Sequence, residues 1–104
     1  MAVDLTTKQS GQINCSSTVN VVSVLAHCEY LVSNIGTKTV YIGTEGADPT
    51  TDVSADYAGQ FALLNLTSVY GIPLRITGVT SLRMKCNGSD TTTVNVTRVG
   101  PLSG

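Results

Sequence analysis

A chain of 104 residues with 12% charged residues and a formal net charge of −1 is one modest domain, and it has no basic surface to offer a nucleic acid. Hydrophobic residues at 41% exclude a disordered chain, and no apolar run approaches the roughly 20 residues of a membrane-spanning helix. Hydroxyls stand where charges are missing: 15 Thr and 10 Ser accompany 13 Val, a β-branched alphabet suited to strands.

The opening stretch MAVDLTTKQSGQ has weak strand pattern and lacks the basic and apolar regions of a leader peptide. Residues 1–12 are therefore read as a flexible N-terminal arm and residues 13–104 as a single β-sandwich domain. The arm is expected to order only on a neighbouring surface. Without a leader, the chain is expected to be made in a reducing cytoplasm.

From there the apolar period is two almost everywhere. In QINCS and TVNVVSVL, Val19, Val21 and Val24 alternate with polar residues. CEYLVSN sets Tyr30 and Val32 on one side, Glu29 and Leu31 on the other. TKTVYIG pairs Val40 with Ile42. The stretch ADPTTDVSADYAG, Ala47 to Gly59, breaks the pattern; Asp48-Pro49 resembles a helix N-cap, and a loop with one helical turn is expected. QFALLNL is denser, apolar on both faces, and is expected to be buried on both. PLRITGV turns Leu74 and Ile76 inward. SLRMKC turns Leu82, Met84 and Cys86 inward, and TTVNVTRVG does the same with Val94 and Val96. Asn34-Ile-Gly36, Gly43 to Gly46, Gly71 to Pro73 and Asn87-Gly88 mark turns, the last carrying the sharpest hairpin signal. TVNVVSV and TVNVTRV are nearly identical, but their flanks differ, so no internal repeat follows. About eight short strands with no helix between them predict an all-β fold, a small antiparallel β-sandwich or jelly-roll-like barrel.

Little in the chain points to chemistry. His27 is the one histidine, and its neighbour Cys28 points to the opposite face of a strand, so the two form no nucleophile pair locally. GxSxG, GxGxxG and GxxxxGKS are absent. Glu29 and Glu45 are the best carboxylate pair among seven acids, which is thin support for glycoside hydrolysis. Asp48, Asp52 and Asp56 recur every four residues but lack the glycine and glutamate of a calcium loop, and read as a solvated acidic loop. Cys15, Cys28 and Cys86 include no CxxC pair; they are read as free, buried thiols, with a Cys15–Cys28 bridge after release from the cell left open. Four Asn-x-Ser/Thr sequons follow from a Ser/Thr-rich composition. No enzyme activity, metal or cofactor is expected.

The segments SNIGTKTVYIGTEG and YAGQFALLNLTSVYGIPLRITGVTSLRMKCNGSDTTTVNVTRVG resemble small β-sandwich structural proteins of tailed bacteriophages. An Asn-x-Gly turn (Asn34, Gly36) precedes a VYIG strand (Val40 to Gly43). A long loop then leads to a GxPL segment (Gly71 to Leu74). The last strands flank a glycine turn (Gly88) and end in VxVxRV (Val94 to Val99). The resemblance spans Leu31 to Gly100. It implies a virion component at the capsid surface: a capsid decoration, or cement, protein that sits as a homotrimer on the head and binds the major capsid protein. The alternative is a tail, fibre or baseplate module that binds a host receptor or another virion protein. Neither nucleic acid nor membrane is expected as a partner. Ala62, Leu64 and Leu66, on the face of QFALLNL opposite Leu63, together with Tyr57, are the expected interface residues.

Overall fold

Strand-forming runs that alternate apolar and polar residues bury one face only when a second sheet covers it. The structure, a computed structural model, describes residues 2–44, 60–66 and 71–101. The described residues form nine strands and no helix: β1 (Ala2–Asp4), β2 (Ser10–Cys15), β3 (Asn20–Ser23), β4 (Cys28–Asn34), β5 (Val40–Gly43), β6 (Gln60–Leu63), β7 (Leu74–Ile76), β8 (Ser81–Lys85) and β9 (Thr92–Pro101). They make two sheets, ordered β1-β3-β8-β5-β6 and β2-β9-β4-β7. All neighbours are antiparallel except β1 and β3. Val22, Val40, Ile42, Leu82 and Met84 of the first sheet close on Ile13, Tyr30, Val32, Val94 and Val96 of the second to form the core. The fold is the all-β sandwich that the period-two pattern predicts.

The registers define two ends. At the apex lie the ends of β2, β4, β6 and β8 and the starts of β3, β5, β7 and β9; the base lies opposite. The chain changes sheet at every connection between successive strands except β5 to β6. Most turns are therefore corners between sheets. Asn87-Gly88 is one: Asp90 N–H donates to Asn87 O at 3.0 Å, and Gly88 takes φ +56°. Its flanking strands, β8 and β9, lie in opposite sheets. The dipeptide makes the expected tight turn but no hairpin.

Three other expectations meet a different arrangement. The first concerns TVNVVSVL, where Asn20, Val22 and Val24 face the core while Val19 and Val21 are half-buried. Adjacent Val21 and Val22 fit either face, so the choice falls to Asn20, whose Nδ2 reaches Asn14 O of the other sheet at 3.4 Å. The second concerns QFALLNL, whose strand ends at Leu63. Leu63 is buried, Leu64 half-buried, and Ala62 and Leu66 are exposed, so one side of this run meets the core and the other does not.

The third concerns the N-terminal residues, read as an arm. Ala2, Val3 and Asp4 pair with Val21, Val22 and Ser23. Leu5 is 2% exposed within the core, and it packs over Gly11, where a Cβ would come within 2.6 Å of Leu5 Cδ2. The Asp4 carboxylate accepts the Thr6 hydroxyl at 2.6 Å and the Thr6 N–H at 2.9 Å. Those hydrogen bonds hold its pKa below the ordinary carboxylate value. Gln9 O accepts the Arg98 N–H at 2.7 Å. Residues 2–12 thus join both sheets within the single chain.

A bulge breaks β9 where Glu29 opposes Gly100 but Tyr30 opposes Arg98. Val99 is the extra residue, which accounts for its 43% exposure in a strand whose other valines are buried.

Candidate functional site

The apex is organised by one amide. Asn34 ends β4, is fully buried, and uses both ends of its side chain. Nδ2 donates to Lys38 O at 2.6 Å and to Leu63 O at 3.0 Å. Oδ1 accepts the Thr92 hydroxyl at 2.6 Å and the Gly36 N–H at 3.3 Å. These contacts join β4, the turn after it, the end of β6 in the other sheet and the start of β9. A buried primary amide has two donors and an acceptor with two lone pairs, and here all are used. The Asn-x-Gly turn therefore has a structural meaning beyond punctuation. Gly36 packs directly on Thr92 and Thr93; a Cβ there would run into Thr92 Oγ1 and lie 2.7 Å from Thr93 N.

The same residue, through its backbone carbonyl, positions an apolar patch. Ile35 follows Asn34 and is 46% exposed. Asn34 O accepts the Leu66 N–H at 3.0 Å, which draws Leu66, 40% exposed, alongside. Gly71 packs on residues 65 and 66 so closely that a Cβ would lie 3.0 Å from Leu66 Cα, and it carries Ile72, 69% exposed, onto the same end. Pro73, also exposed, follows. The patch sits where β6 and β7, the outer strands of the two sheets on this side, meet the apex. Single exposed leucines are ordinary; three large aliphatic side chains gathered on one end are not.

Beside the patch opens a cleft of about 370 Å³ lined by Asn14, Cys15, Ser16, Gly36, Thr37, Thr91, Thr92 and Thr93. Its walls carry hydroxyls and an amide and no charged or aromatic side chain. It can offer hydrogen bonds to a neutral polar group.

Of the expected interface residues, Leu66 lies in the patch, half-buried Leu64 precedes it by two residues, and Ala62 is exposed on β6. Tyr57 lies outside the described residues, as do Glu45, Asp48, Asp52 and Asp56 and the helical turn expected over 47–59. Ile35 and Ile72 escape sequence reasoning because each sits in a turn, where periodicity carries no information; the flanking glycines were the available signal.

The residues weighed for chemistry are dispersed. His27 is exposed in the turn before β4 at the base, whereas Cys15 and Cys86 are buried at the apex. Glu29 pairs with Arg75 at 3.0 Å on the outer face of its sheet, an exposed bridge of the kind worth about 0–1 kcal/mol. Cys15 opposes Thr92 and Cys28 opposes Pro101, nine residues further along the same strand. That separation is roughly 30 Å along β9, whereas bridged cysteines keep their Cα atoms within about 7 Å. A Cys15–Cys28 bridge is therefore incompatible with this fold, and all three thiols are free and buried. Burial, and then the neighbouring Cys86, push the Cys15 thiol up to about 12. Burial, and then the charge of Asp90, raise Cys86.

Among the described residues, no three His, Cys, Asp or Glu side chains gather where they could hold a metal ion, and no helix is long and apolar enough to cross a membrane. No family model, curated protein or solved structure matches the chain. Fold and apex together define a small all-β sandwich with an exposed apolar end.

Proposed function

We propose that this protein is a non-enzymatic virion structural protein of a tailed bacteriophage, a capsid decoration (cement) protein that binds and stabilises the head shell. The observation that carries the reading is the apolar patch of Ile35, Leu66 and Ile72, held at one end of the sandwich by Asn34. A surface of this kind is matched to a protein partner. Completing the burial of one such side chain contributes on the order of 1–2 kcal/mol. That is modest for one copy, but copies joined in a homotrimer and seated together on a shell are retained far more strongly than one alone. Ala62 and Leu64, near the patch on β6 and the turn that follows it, would meet the neighbouring copy. The resemblance read from the sequence, of the Asn34-x-Gly36 turn, the VYIG strand and the GxPL segment to small β-sandwich structural proteins of tailed bacteriophages, adds support, because two of these three segments build the patch.

The hydroxyl-lined cleft favours a second reading, a tail, fibre or baseplate module that holds a neutral polar group of a receptor. Fractionation of virions separates the two. The protein is expected to co-purify with intact heads at a fixed ratio to the major capsid protein. Recovery with tails alone supports the second reading, and recovery with neither rejects both.

A further inference from the structure

We propose that Cys15 and Cys86 form a disulfide across the apex when the folded protein meets a low-molecular-weight disulfide, clamping one sheet to the other. Cys15 ends β2 in the four-stranded sheet, and Cys86 directly follows β8 in the five-stranded sheet. Cys86 packs against Cys15 and its neighbour: the Cys86 N–H donates to Ser16 O at 2.6 Å, and Cys86 Sγ lies 3.8 Å from Cys15 O. Both side chains are 1% exposed and face the same interior. A disulfide spans Cα separations of about 4.4–6.8 Å, and these contacts set the Cys86 backbone and thiol against residues 15 and 16. Cys15 Sγ now sits 3.9 Å from Ile13 O; rotation of the two side chains toward one another closes the remaining gap.

The route for the oxidant is the hydroxyl-lined cleft, whose wall includes Cys15. The Cys15 thiolate attacks one sulfur of the small disulfide, forming a mixed disulfide and releasing one small thiolate. The Cys86 thiolate then attacks the Cys15 sulfur, forming the protein disulfide and releasing the second. Two protein thiols are oxidised to one disulfide, the small disulfide is reduced to two thiols, and the two protons lost by the cysteines end on those thiols. Burial keeps both cysteines protonated at neutral pH, so closure is slow there and quickens as pH rises. Cys28, at the base, has no such partner. This inference stands on the apex geometry alone and does not depend on the proposed function.

The test uses the wild-type chain. Folded protein is incubated with oxidised glutathione at about pH 8.5, near the ordinary thiol pKa, then alkylated in denaturant and peptide-mapped. The expected product is a Cys15–Cys86 linked peptide with Cys28 alkylated, and a raised melting temperature that returns to its starting value after reduction. Recovery of Cys15 and Cys86 as alkylated or separately glutathionylated peptides, or linked to Cys28 or to another chain, would overturn the proposal.

Discussion

Thr92 donates its hydroxyl to Asn34 Oδ1 at 2.6 Å, and both residues are buried where the two sheets meet at the apex. Thr92 opens β9, Asn34 closes β4, and the same Asn34 amide also holds Leu63 O of the facing sheet at 3.0 Å. One polar side chain thus ties the strand ends that frame the exposed patch.

Removing that amide strands four groups at once, two of them buried. Asn34→Ala leaves buried Leu63 O and the Thr92 hydroxyl, and part-buried Lys38 O and Gly36 N–H, without this partner; each buried group so orphaned costs about 1–3 kcal/mol, not additively, and the part-buried ones less. A loss of about 3–5 kcal/mol is expected in urea unfolding, against about 1–2 kcal/mol for Thr92→Val. The double variant should cost less than the sum, because the two residues share a bond. Equal, small losses for both single variants would show that the apex does not depend on Asn34.

Gly36 and Gly88 separate two reasons for glycine. Gly36→Ala drives a methyl into Thr92 Oγ1, with Thr93 N at 2.7 Å and Thr92 Cα at 2.9 Å. Thr92→Ala removes only the first of these contacts, so it should rescue Gly36→Ala incompletely. Gly88→Ala meets open space and suffers only from its φ of +56°, a strain of about 1 kcal/mol. Thermal melts should rank Gly36→Ala well below Gly88→Ala.

Burial ranks the leucines. Leu5→Ala and Leu63→Ala, at 2% and 6% exposure, should each cost about 2–5 kcal/mol. Leu66→Ala, at 40% exposure, should change stability by no more than about 0.5 kcal/mol. Urea midpoints of the three variants check this. A neutral Leu5→Ala would detach the first strand from the fold and restore the reading of residues 1–12 as an arm.

Stability should fall in alkali. The Cys15 thiol is raised from an ordinary 9.0 to about 12 in the folded chain. Between those values the unfolded chain binds fewer protons than the folded one, so unfolding gains as pH rises. The thiol's contribution is complete below pH 9.0 and is lost progressively toward pH 12. Urea midpoints measured across this range should fall, and Cys15→Ala should flatten part of the slope whatever it does to the midpoint at neutral pH. An unchanged slope would mean that Cys15 is more hydrated than its burial implies.

Much of this fold was legible because alternation is a local property. Ser81-Leu-Arg-Met-Lys85 shows its inner face residue by residue, and the structure buries Leu82 and Met84 as read; Cys28-Glu-Tyr-Leu-Val-Ser-Asn34 shows two alternating sets, of which the structure buries the one with Tyr30 and Val32. What escaped depends on distant partners. Asn87-Gly88 has the chemistry of a hairpin turn, but whether its flanking strands pair is decided by the other strands of each sheet. Leu5 is a lone apolar residue in a polar run, and only a parallel partner eighteen residues on, Ser23 O accepting its N–H at 2.9 Å, gives it a place. The expected interface residues came from the excess of leucines in QFALLNL, which located Leu66; Ile35 and Ile72 join it only because Asn34 and Gly71 fold two turns against residues 65 and 66.

The central claim is that the apex patch is the contact with the shell. Co-sedimentation with heads assembled from the major capsid protein encoded beside this chain, as the proposal requires, tests it directly, comparing wild type with Ile72→Asp and Leu66→Asp. A carboxylate at either exposed position leaves the core untouched, but it would have to be desolvated in an apolar contact, at a cost of about 2 kcal/mol or more. Wild type is expected to sediment with heads, and both variants, with melting temperatures near that of wild type, are expected to remain largely in the supernatant. Wild type that stays in the supernatant, or variants that sediment as wild type does, would contradict the account.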